Sequence, residues 1–383
     1  MITRNALILK DGLTGELVRG AVEEHYRALP RLEKLRRYYL GENEVLSRRR
    51  QAGLPNNRIA HPFARYISTV TSGALTGKPV EYKGESGTLP AIKELLKRAG
   101  AQTVDVENAR SAAIYGRGVE MLFCGGGGEV KIYALPPEAA FTVYDDTIAH
   151  KPLFGVCICG KLESGEMSVA AADSVRTVLF NVKDGAYVKT GECENFFGGV
   201  PIIEYWNDEN ERGDFEWVIP LIDAYDALQS DRVNDKDQFA DKLLVLTGCT
   251  LETDEEGRPP WLQLRMDKAL CLPDGEARAQ YLSAQMDENG NEILRQSLEN
   301  DIHKLALVPD ISDINFSGNS SGVALKYKLL GLRQLTRMKQ RWFEEGLRER
   351  LRLICNLMQM RGYPDAKPED IEIKFADCEF GDE

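Results

Sequence analysis

Asp145 and Asp146 are the residues of this sequence best placed to carry out metal or acid/base chemistry. They are neighbouring carboxylates at the end of a strand-like run, and paired carboxylates can bind a divalent metal or transfer protons. No Ser-His, Cys-His or further carboxylate motif accompanies them at a family spacing. Because adjacent acids in a turn are usually just solvated, we predict no catalytic residue and no metal site.

Glycine and sulfur chemistry give two weaker candidates. The glycine run 125–128 precedes a strand-like segment and lacks the Lys-Ser or Lys-Thr pair of a phosphate-binding loop, which indicates a flexible hairpin tip. Cys157 and Cys159 have no second Cys or His pair at ligand spacing, so we expect reduced thiols. The histidines are too widely separated for a metal site: His25, His61, His150 and His303. No cofactor is predicted.

Composition and charge narrow the class of protein. A chain of 383 residues exceeds the usual size of one hydrophobic core, so two or more packed modules are expected. The net charge of −12 argues against tight binding of nucleic acid, because affinity for phosphates comes from clustered Lys and Arg. DNA that slides past the protein is compatible with this charge. Neither a membrane-spanning apolar stretch nor a secretory start is present, so we expect synthesis in the cytosol and no membrane partner.

The elements that position these residues change character along the chain. Helical spacing covers 16–40 with a break at Pro30, a segment ending at Gly77, and 89–116 with a break at Gly100. A strand, KPVEYKG, lies between the second and third of these. From residue 117 the period becomes two, which predicts the strands VEMLFC, EVKIYAL, FTVYDD, LFGVCICGKL, SVRTVLFN and YVKT.

Residues 220–246 contain no Gly or internal Pro after Pro220 and predict one helix about 40 Å long. Acidic side chains spread around much of its circumference, including Asp223, Asp226, Asp231, Asp235 and Asp241. A helix of this kind is marginal in isolation, because helices in proteins gain most of their stability by burying an apolar face. The pattern therefore predicts neighbouring elements, which copies of the same helix in a ring would supply.

A loop-rich insert at 248–290 follows, and a second helix at 291–308 brackets it. A polar loop at 309–321 leads into a long amphipathic helix, 322–362, with Gly331 and Gly346 as weak points. Its basic side chains alternate with glutamates, which favours a solvated or inter-subunit face. Residues 363–383 predict a short strand and an acidic end.

The ordered series of short motifs resembles the portal proteins of siphophages. Each motif is weak alone, but their order over most of the chain is specific. They are Tyr38-Tyr39-Leu40-Gly41, Asn56-Asn57-Arg58-Ile59, Leu75-Thr76-Gly77-Lys78-Pro79-Val80, Ala113-Ile114-Tyr115-Gly116-Arg117-Gly118, Gly199-Val200-Pro201-Ile202-Ile203-Glu204, Leu221-Ile222-Asp223-Ala224-Tyr225, Ser230-Asp231 and Asn315-Phe316-Ser317-Gly318-Asn319-Ser320-Ser321-Gly322-Val323-Ala324.

This resemblance implies an α+β portal fold with named parts. Residues 1–219 and the helix 322–362 would form the wing, 220–247 and 291–308 the two stem helices, 248–290 the clip, and 309–321 the tunnel loop. Family members often continue past the equivalent of residue 383 into a helical crown. The residues implied to face DNA are Asn315, Ser317, Asn319, Ser320 and Ser321, with Lys326 and Lys328 as the nearest cations.

The resemblance also implies a function without catalysis. About a dozen copies would form a ring at one capsid vertex, and double-stranded DNA would be packaged and ejected through it. The expected partners are terminase, a head-completion or connector protein, and capsid and scaffold proteins. The expected location is the virion, with host cytoplasm during assembly. Two alternatives stay open: a metal-dependent nuclease that uses Asp145 and Asp146, and a capsid-associated adaptor without a channel.

Overall fold

The computed structural model describes residues 1–51, 54–161, 166–240, 243–247, 278–282, 287–310, 327 and 329–376. The chain divides into two units. Unit 1 comprises Met1–Asn43, His61–Ile222 and Asn300–Glu383, and unit 2 comprises Glu44–Ala60 and Asp223–Glu299. In the described part of the chain, every helix is too short or too polar to cross a bilayer.

The helices follow the predicted 3.6-residue pattern closely in the first half of the chain. The described α-helices are α1 Gly15–Tyr26, α2 Leu29–Tyr39, α3 Phe63–Thr76, α4 Leu89–Arg98, α5 Ala101–Tyr115, α6 Ile219–Ala240, α7 Glu288–Leu305 and α8 Leu330–Met360. Short 3-10 helices lie at Ala6–Asp11, Glu44–Ser47, Glu216–Val218 and Pro368–Asp370. The helix pair around Pro30 and the break at Gly100 are confirmed. Gly100 has φ +75°, a left-handed conformation that favours glycine.

The strands form four described sheets. Their bounds are β1 Ile2–Arg4, β2 Glu81–Lys83, β3 Arg117–Cys124, β4 Val130–Leu135, β5 Ala140–Asp145, β6 Pro152–Lys161, β7 Met167–Ala172, β8 Arg176–Lys183, β9 Ala186–Glu194, β10 Ile202–Trp206, β11 Leu243–Thr247, β12 Arg278–Leu282 and β13 Glu372–Lys374. The largest sheet has the order β1-β5-β6-β7-β8-β9, with β1 parallel to β5 and the other pairs antiparallel. The predicted mixture of helix and sheet is confirmed.

The two smaller sheets of unit 1 are β10-β3-β4 and β13-β2. Strands β3 and β4 pair antiparallel, with Cys124 opposite Val130, so the glycine run 125–128 forms the tip of a hairpin as predicted. Strand β13 pairs antiparallel with β2, with Ile373 opposite Tyr82. The two strands are therefore joined across most of the length of the sequence.

Two buried apolar clusters hold unit 1 together. One packs α8 and α4 against β3, β4 and β10, with Phe343, Leu347 and Tyr205 almost completely buried. The other covers one face of the large sheet with α1 and includes Val18, Phe141 and Phe154. Burial of these side chains follows from their positions at helical spacing in α1 and α8 and at alternate positions in the strands.

In unit 2, the sequence prediction for the helix after Pro220 was too long. Helix α6 ends at Ala240, whereas the prediction continued it to 246 or 247. Residues 243–247 instead form β11, antiparallel to β12. The run LLVLT favours a strand once a partner is available, and that partner lies in the 248–290 insert, too far along the chain for a local pattern to indicate it. The second helix is also displaced, because α7 spans 288–305 instead of 291–308.

His25 on α1 is a packed residue whose titration should affect stability. Its ring stacks on Phe141 with centroids 4.4 Å apart, and Nε2 lies 2.9 Å from the Glu138 carbonyl oxygen. Burial lowers the pKa of His25 from 6.5 to about 4, with a smaller contribution from Arg117. The imidazole is therefore neutral in the folded protein throughout the range in which the unfolded chain takes up a proton.

We expect the free energy of unfolding to fall by about 3 kcal/mol through this group between pH 6.5 and pH 4, at 1.36 kcal/mol per pKa unit. Above pH 6.5 the His25 imidazole is neutral in both the folded and the unfolded protein, so the stability is there at its full value with respect to this group. Urea denaturation at pH 7.5, 5.5 and 4 should show that His25→Gln has a flatter pH dependence than the parent. Parallel curves for the two proteins would contradict the assignment.

Candidate functional site

Helix α6 has a polar side that binds the segment 44–60 within unit 2. Arg48 Nη1 lies 3.1 Å from Asp231 Oδ1, and Arg50 donates to the same carboxylate. Ser230 and Asn234, one turn apart, are almost completely buried. The acids of α6 are therefore in part neutralised from within the chain.

Amide and hydroxyl groups continue this contact along α6. The Asn57 backbone N–H donates to Asn234 Oδ1 at 2.6 Å, and Asn234 Nδ2 donates back to the Asn57 carbonyl at 3.2 Å. The Ile59 N–H donates to Ser230 Oγ at 3.0 Å. The extended segment around Asn57 and Ile59 forms no strand pair. Its backbone groups instead make hydrogen bonds to buried side chains of α6, as buried polar groups require.

Ion pairs join α6 to α7 within unit 2. Arg232 Nη1 lies 3.1 Å from Glu292 and its Nη2 3.4 Å from Glu288, which also lies 3.5 Å from Lys236 Nζ. Arg295 on α7 reaches Tyr225 Oη at 3.4 Å. The neighbouring Arg295 guanidinium, followed by Gln296, lowers the pKa of Glu292 to about 2. The Glu292 carboxylate therefore stays ionised at any pH at which the protein is expected to work.

The predicted acidic residues of α6 differ in their surroundings. Asp226 is fully buried, Asp223 and Asp235 are half-buried, and Asp231 is paired with arginines. Asp241 lies outside the described residues. The acids therefore do not form one exposed acidic stripe.

The predicted DNA-facing residues also lie outside the described part of the chain: Asn315, Ser317, Asn319, Ser320, Ser321, Lys326 and Lys328.

Sequence reasoning missed the partners of α6. Arg48 and Arg50 were treated only as a basic cluster that runs into a turn, and Asn57 as part of that turn. The available signal was charge complementarity between this cluster and a helix rich in aspartate. Sequence separation of more than 170 residues hides such a pairing from any local pattern, since Arg48 and Asp231 are 183 positions apart.

Helix α8 carries a buried ionic site in unit 1, which corrects, for Arg350, the prediction that its basic residues are solvated or inter-subunit, whereas Arg337, Arg341 and Arg348 are exposed. Arg350 is fully buried; its Nη1 lies 2.6 Å from Asp105 Oδ1 and its Nε 2.8 Å from Glu120 Oε1. The Tyr205 ring lies 5.5 Å from the guanidinium carbon. Burial raises the pKa of Asp105, and the positive charge of Arg350 opposes that rise.

A second buried pair ties α8 to the same unit. Lys339 donates to Asp214, whose side chain also accepts from Thr71 and from Asn207 Nδ2, the latter at 2.8 Å. Buried charges are tolerated when they are paired and fully hydrogen-bonded. These contacts fix α8 at two points, and they give its buried basic residues a structural role.

Asp145 and Asp146 take part in loop structure. Asp145 Oδ1 accepts from Thr147 Oγ1 at 2.7 Å and from the Lys151 N–H at 3.0 Å, and these contacts, with the Thr147 hydroxyl as the largest cause, lower its pKa. Asp146 accepts from Asn5 Nδ2 at 3.2 Å. Among the described residues, no group of three or more His, Cys, Asp and Glu side chains is arranged to hold a metal ion. Asp145 thus closes the 145–151 loop, and Asp146 ties the loop to Asn5.

Comparison with known proteins places these features in a family. The sequence model of the phage portal protein family, SPP1 Gp6-like, matches residues 21–383. The portal protein of Bacillus phage SPP1 is 24% identical over 92% of this chain and 75% of its own length.

Two solved structures are similar to this chain to different degrees. One chain from the virion of a native gene transfer agent particle superposes with a TM-score of 0.51 at 12% identity, covering 90% of this chain and 83% of that one, and supports the same fold. A chain from the neck of the native gene transfer agent particle, computed with C12 symmetry, gives a TM-score of 0.47 at 11% identity over 82% and 80%. The family match spans nearly the whole sequence, and the chain belongs to the phage portal protein family, SPP1 Gp6-like.

Proposed function

We propose that this chain is the subunit of a portal ring, with about a dozen copies around a channel at one capsid vertex. The main support for this proposal is the match of the family model to residues 21–383. Helices α6 and α7 support it, because they flank the 241–287 region and are joined by Arg232 and Arg295 within unit 2. The ring packages and ejects double-stranded DNA, and it performs no hydrolysis itself.

The parts of the ring are assigned as follows. Residues 1–219 and α8 form the wing, α6 and α7 the stem, 248–290 the clip, and 309–321 the tunnel loop. Terminase docks on the clip during packaging, and a head-completion or connector protein replaces it afterwards. Capsid and scaffold proteins surround the wing in the virion, and assembly takes place in the host cytoplasm.

Exposed apolar side chains on α7 support assembly through the stem. Ile293 is 69% exposed and Leu294 49% exposed, although both are large hydrophobic residues. Such side chains are commonly buried in protein interfaces. Neighbouring copies would cover them in a ring.

We expect Ile293→Asp to prevent ring formation while it changes the free energy of unfolding of the monomer by no more than about 0.5 kcal/mol, because the side chain is exposed. Negative-stain microscopy of the purified protein shows whether rings form, and light scattering measures the mass of the assembly. Ile148→Asp is the matched control, since Ile148 is 101% exposed and lies outside the two helices. Rings of normal yield from Ile293→Asp would remove α7 from the proposed interface.

The polar loop 309–321 is the proposed DNA contact. Amides and hydroxyls can donate to phosphates without the strong ionic attraction that would hold DNA in place. We expect a variant with Asn319, Ser320 and Ser321 replaced by Trp to form rings and to package DNA at least about tenfold less efficiently, because bulk narrows the channel. Nuclease-protected DNA in a packaging assay measures this. Normal packaging would place the DNA contact elsewhere.

A further inference from the structure

A groove of about 520 Å³ lies in unit 1 beside strand β2. It is lined by Val80, by β2 and, from α4 and α5, by Lys93, Lys97, Gln102 and Asp105. This volume matches a site for a small ligand or a few side chains of a peptide. Neither the channel proposed above nor the ion pairs of unit 2 use it.

The groove follows the free edge of β2. Successive strand residues point to opposite faces, yet all four residues 80–83 line the groove, so it runs along an edge of the strand instead of across one face. No residue of β13 lines it, although β13 pairs with β2 on the other side. In the described residues, the sheet contains these two strands alone. An unpaired strand edge is a template for a further strand.

The charge beside this edge is positive. Lys93 and Lys97 are exposed on successive turns of α4, and neither makes an ion pair with any described residue. The third lysine, Lys83, lies 2.9 Å from Glu81. Lys93 and Lys97 add positive charge on one side of the groove, with Glu81 as the exposed acid of the lining, and this balance favours an anionic ligand.

We propose that this groove binds an extended, acidic segment of a partner protein, which adds as a further strand to the free edge of β2. The main chain of the ligand pairs with residues 80–83, and its acidic side chains reach Lys93 and Lys97. Strand addition explains why the groove follows a strand edge, which a bound duplex would not require. The ligand class is an acidic β-strand peptide.

The test uses the full chain and a fluorescein-labelled decapeptide of alternating Glu and Val. We expect saturable binding by fluorescence anisotropy, and a loss of affinity of about tenfold or more in Lys93→Ala/Lys97→Ala. Lys10→Ala/Lys151→Ala removes two other exposed lysines and should bind as the parent does.

Further probes separate the alternatives. A peptide N-methylated at alternate backbone amides should bind about tenfold more weakly, because strand pairing needs those N–H groups; equal binding would overturn strand addition. Equal binding of the Glu-Val peptide by the lysine double variant would overturn the site. Stronger binding of a DNA duplex or inorganic phosphate at these lysines would overturn the peptide class. Stronger binding of a peptide copied from residues 377–383 would assign the groove to the chain itself and overturn the partner.

Discussion

Arg350→Met should lower the free energy of unfolding by about 3–5 kcal/mol at pH 7, because it leaves the carboxylates of Asp105 and Glu120 buried without a cation. Met fills most of the volume of the arginine stem, so the decrease in stability results more from the lost charge than from lost packing. Guanidinium denaturation followed by far-ultraviolet circular dichroism measures it. The exposed Arg348, paired with Glu344 one turn away, is the control, and Arg348→Met should cost less than about 1 kcal/mol.

The pH dependence of Arg350→Met provides a second readout. Without the guanidinium, burial and the nearby Glu120 raise the folded-state pKa of Asp105 further above its unfolded value. The resulting penalty is full above the folded pKa of Asp105 and is relieved as pH falls toward the unfolded value. The variant should therefore recover stability relative to the parent between pH 7 and pH 5.

A charge-free variant tests the same site without unpaired groups. Asp105→Asn/Glu120→Gln/Arg350→Met should regain at least about half of the stability lost by the single change, because no buried charge is left unpaired. If Arg350→Met and Arg348→Met lose similar amounts, the buried site is not what holds α8 in place.

Gly346→Ala should lower the free energy of unfolding by about 3 kcal/mol, since a methyl group there has no room. An ideal Cβ at this position would lie 2.4 Å from Cδ1 and 2.6 Å from Cε1 of the Tyr205 ring. Tyr205 cannot retreat easily, because it is fully buried and its ring lies 4.8 Å from that of Phe343. Thermal and chemical denaturation measure the loss.

The matched control for Gly346→Ala is Gly20→Ala, in the interior of α1. A Cβ at Gly20 would meet no atom within 4 Å, so alanine should raise stability by up to about 1 kcal/mol through helix propensity. The free energy of unfolding should therefore fall in Gly346→Ala and rise in Gly20→Ala. A neutral Gly346→Ala would mean that α8 does not pack against the ring of Tyr205 as described.

Much of the architecture of unit 1 could be predicted from the sequence because its signals are local. Pro30 and Gly100 interrupt helical periodicity, and the glycines at 125–128 separate two alternating strands. Each feature depends on residues within a few positions of one another, where steric preference and periodicity act directly. Strand β7, MSVAAA, was missed because small residues give little β signal.

The remaining features depend on residues that are distant in sequence. The end of α6 at Ala240 follows from pairing of β11 with β12, and the buried pairs of Lys339 and Arg350 need acids from the first part of the chain. Periodicity identified α8 as amphipathic but could not show that two of its cations lie on the buried side. The predicted tunnel-loop residues, Asn315 to Lys328, are still a prediction.

The position of Arg350 also constrains the timing of synthesis. Its partner Asp105 is 245 residues earlier in the chain, so a ribosome translates most of the protein before the cation that neutralises this acid exists. Until then the first half of the chain cannot bury Asp105 and Glu120 without a large electrostatic penalty. The packing of unit 1 around Asp105 and Glu120 is therefore completed only after residue 350 has been synthesised.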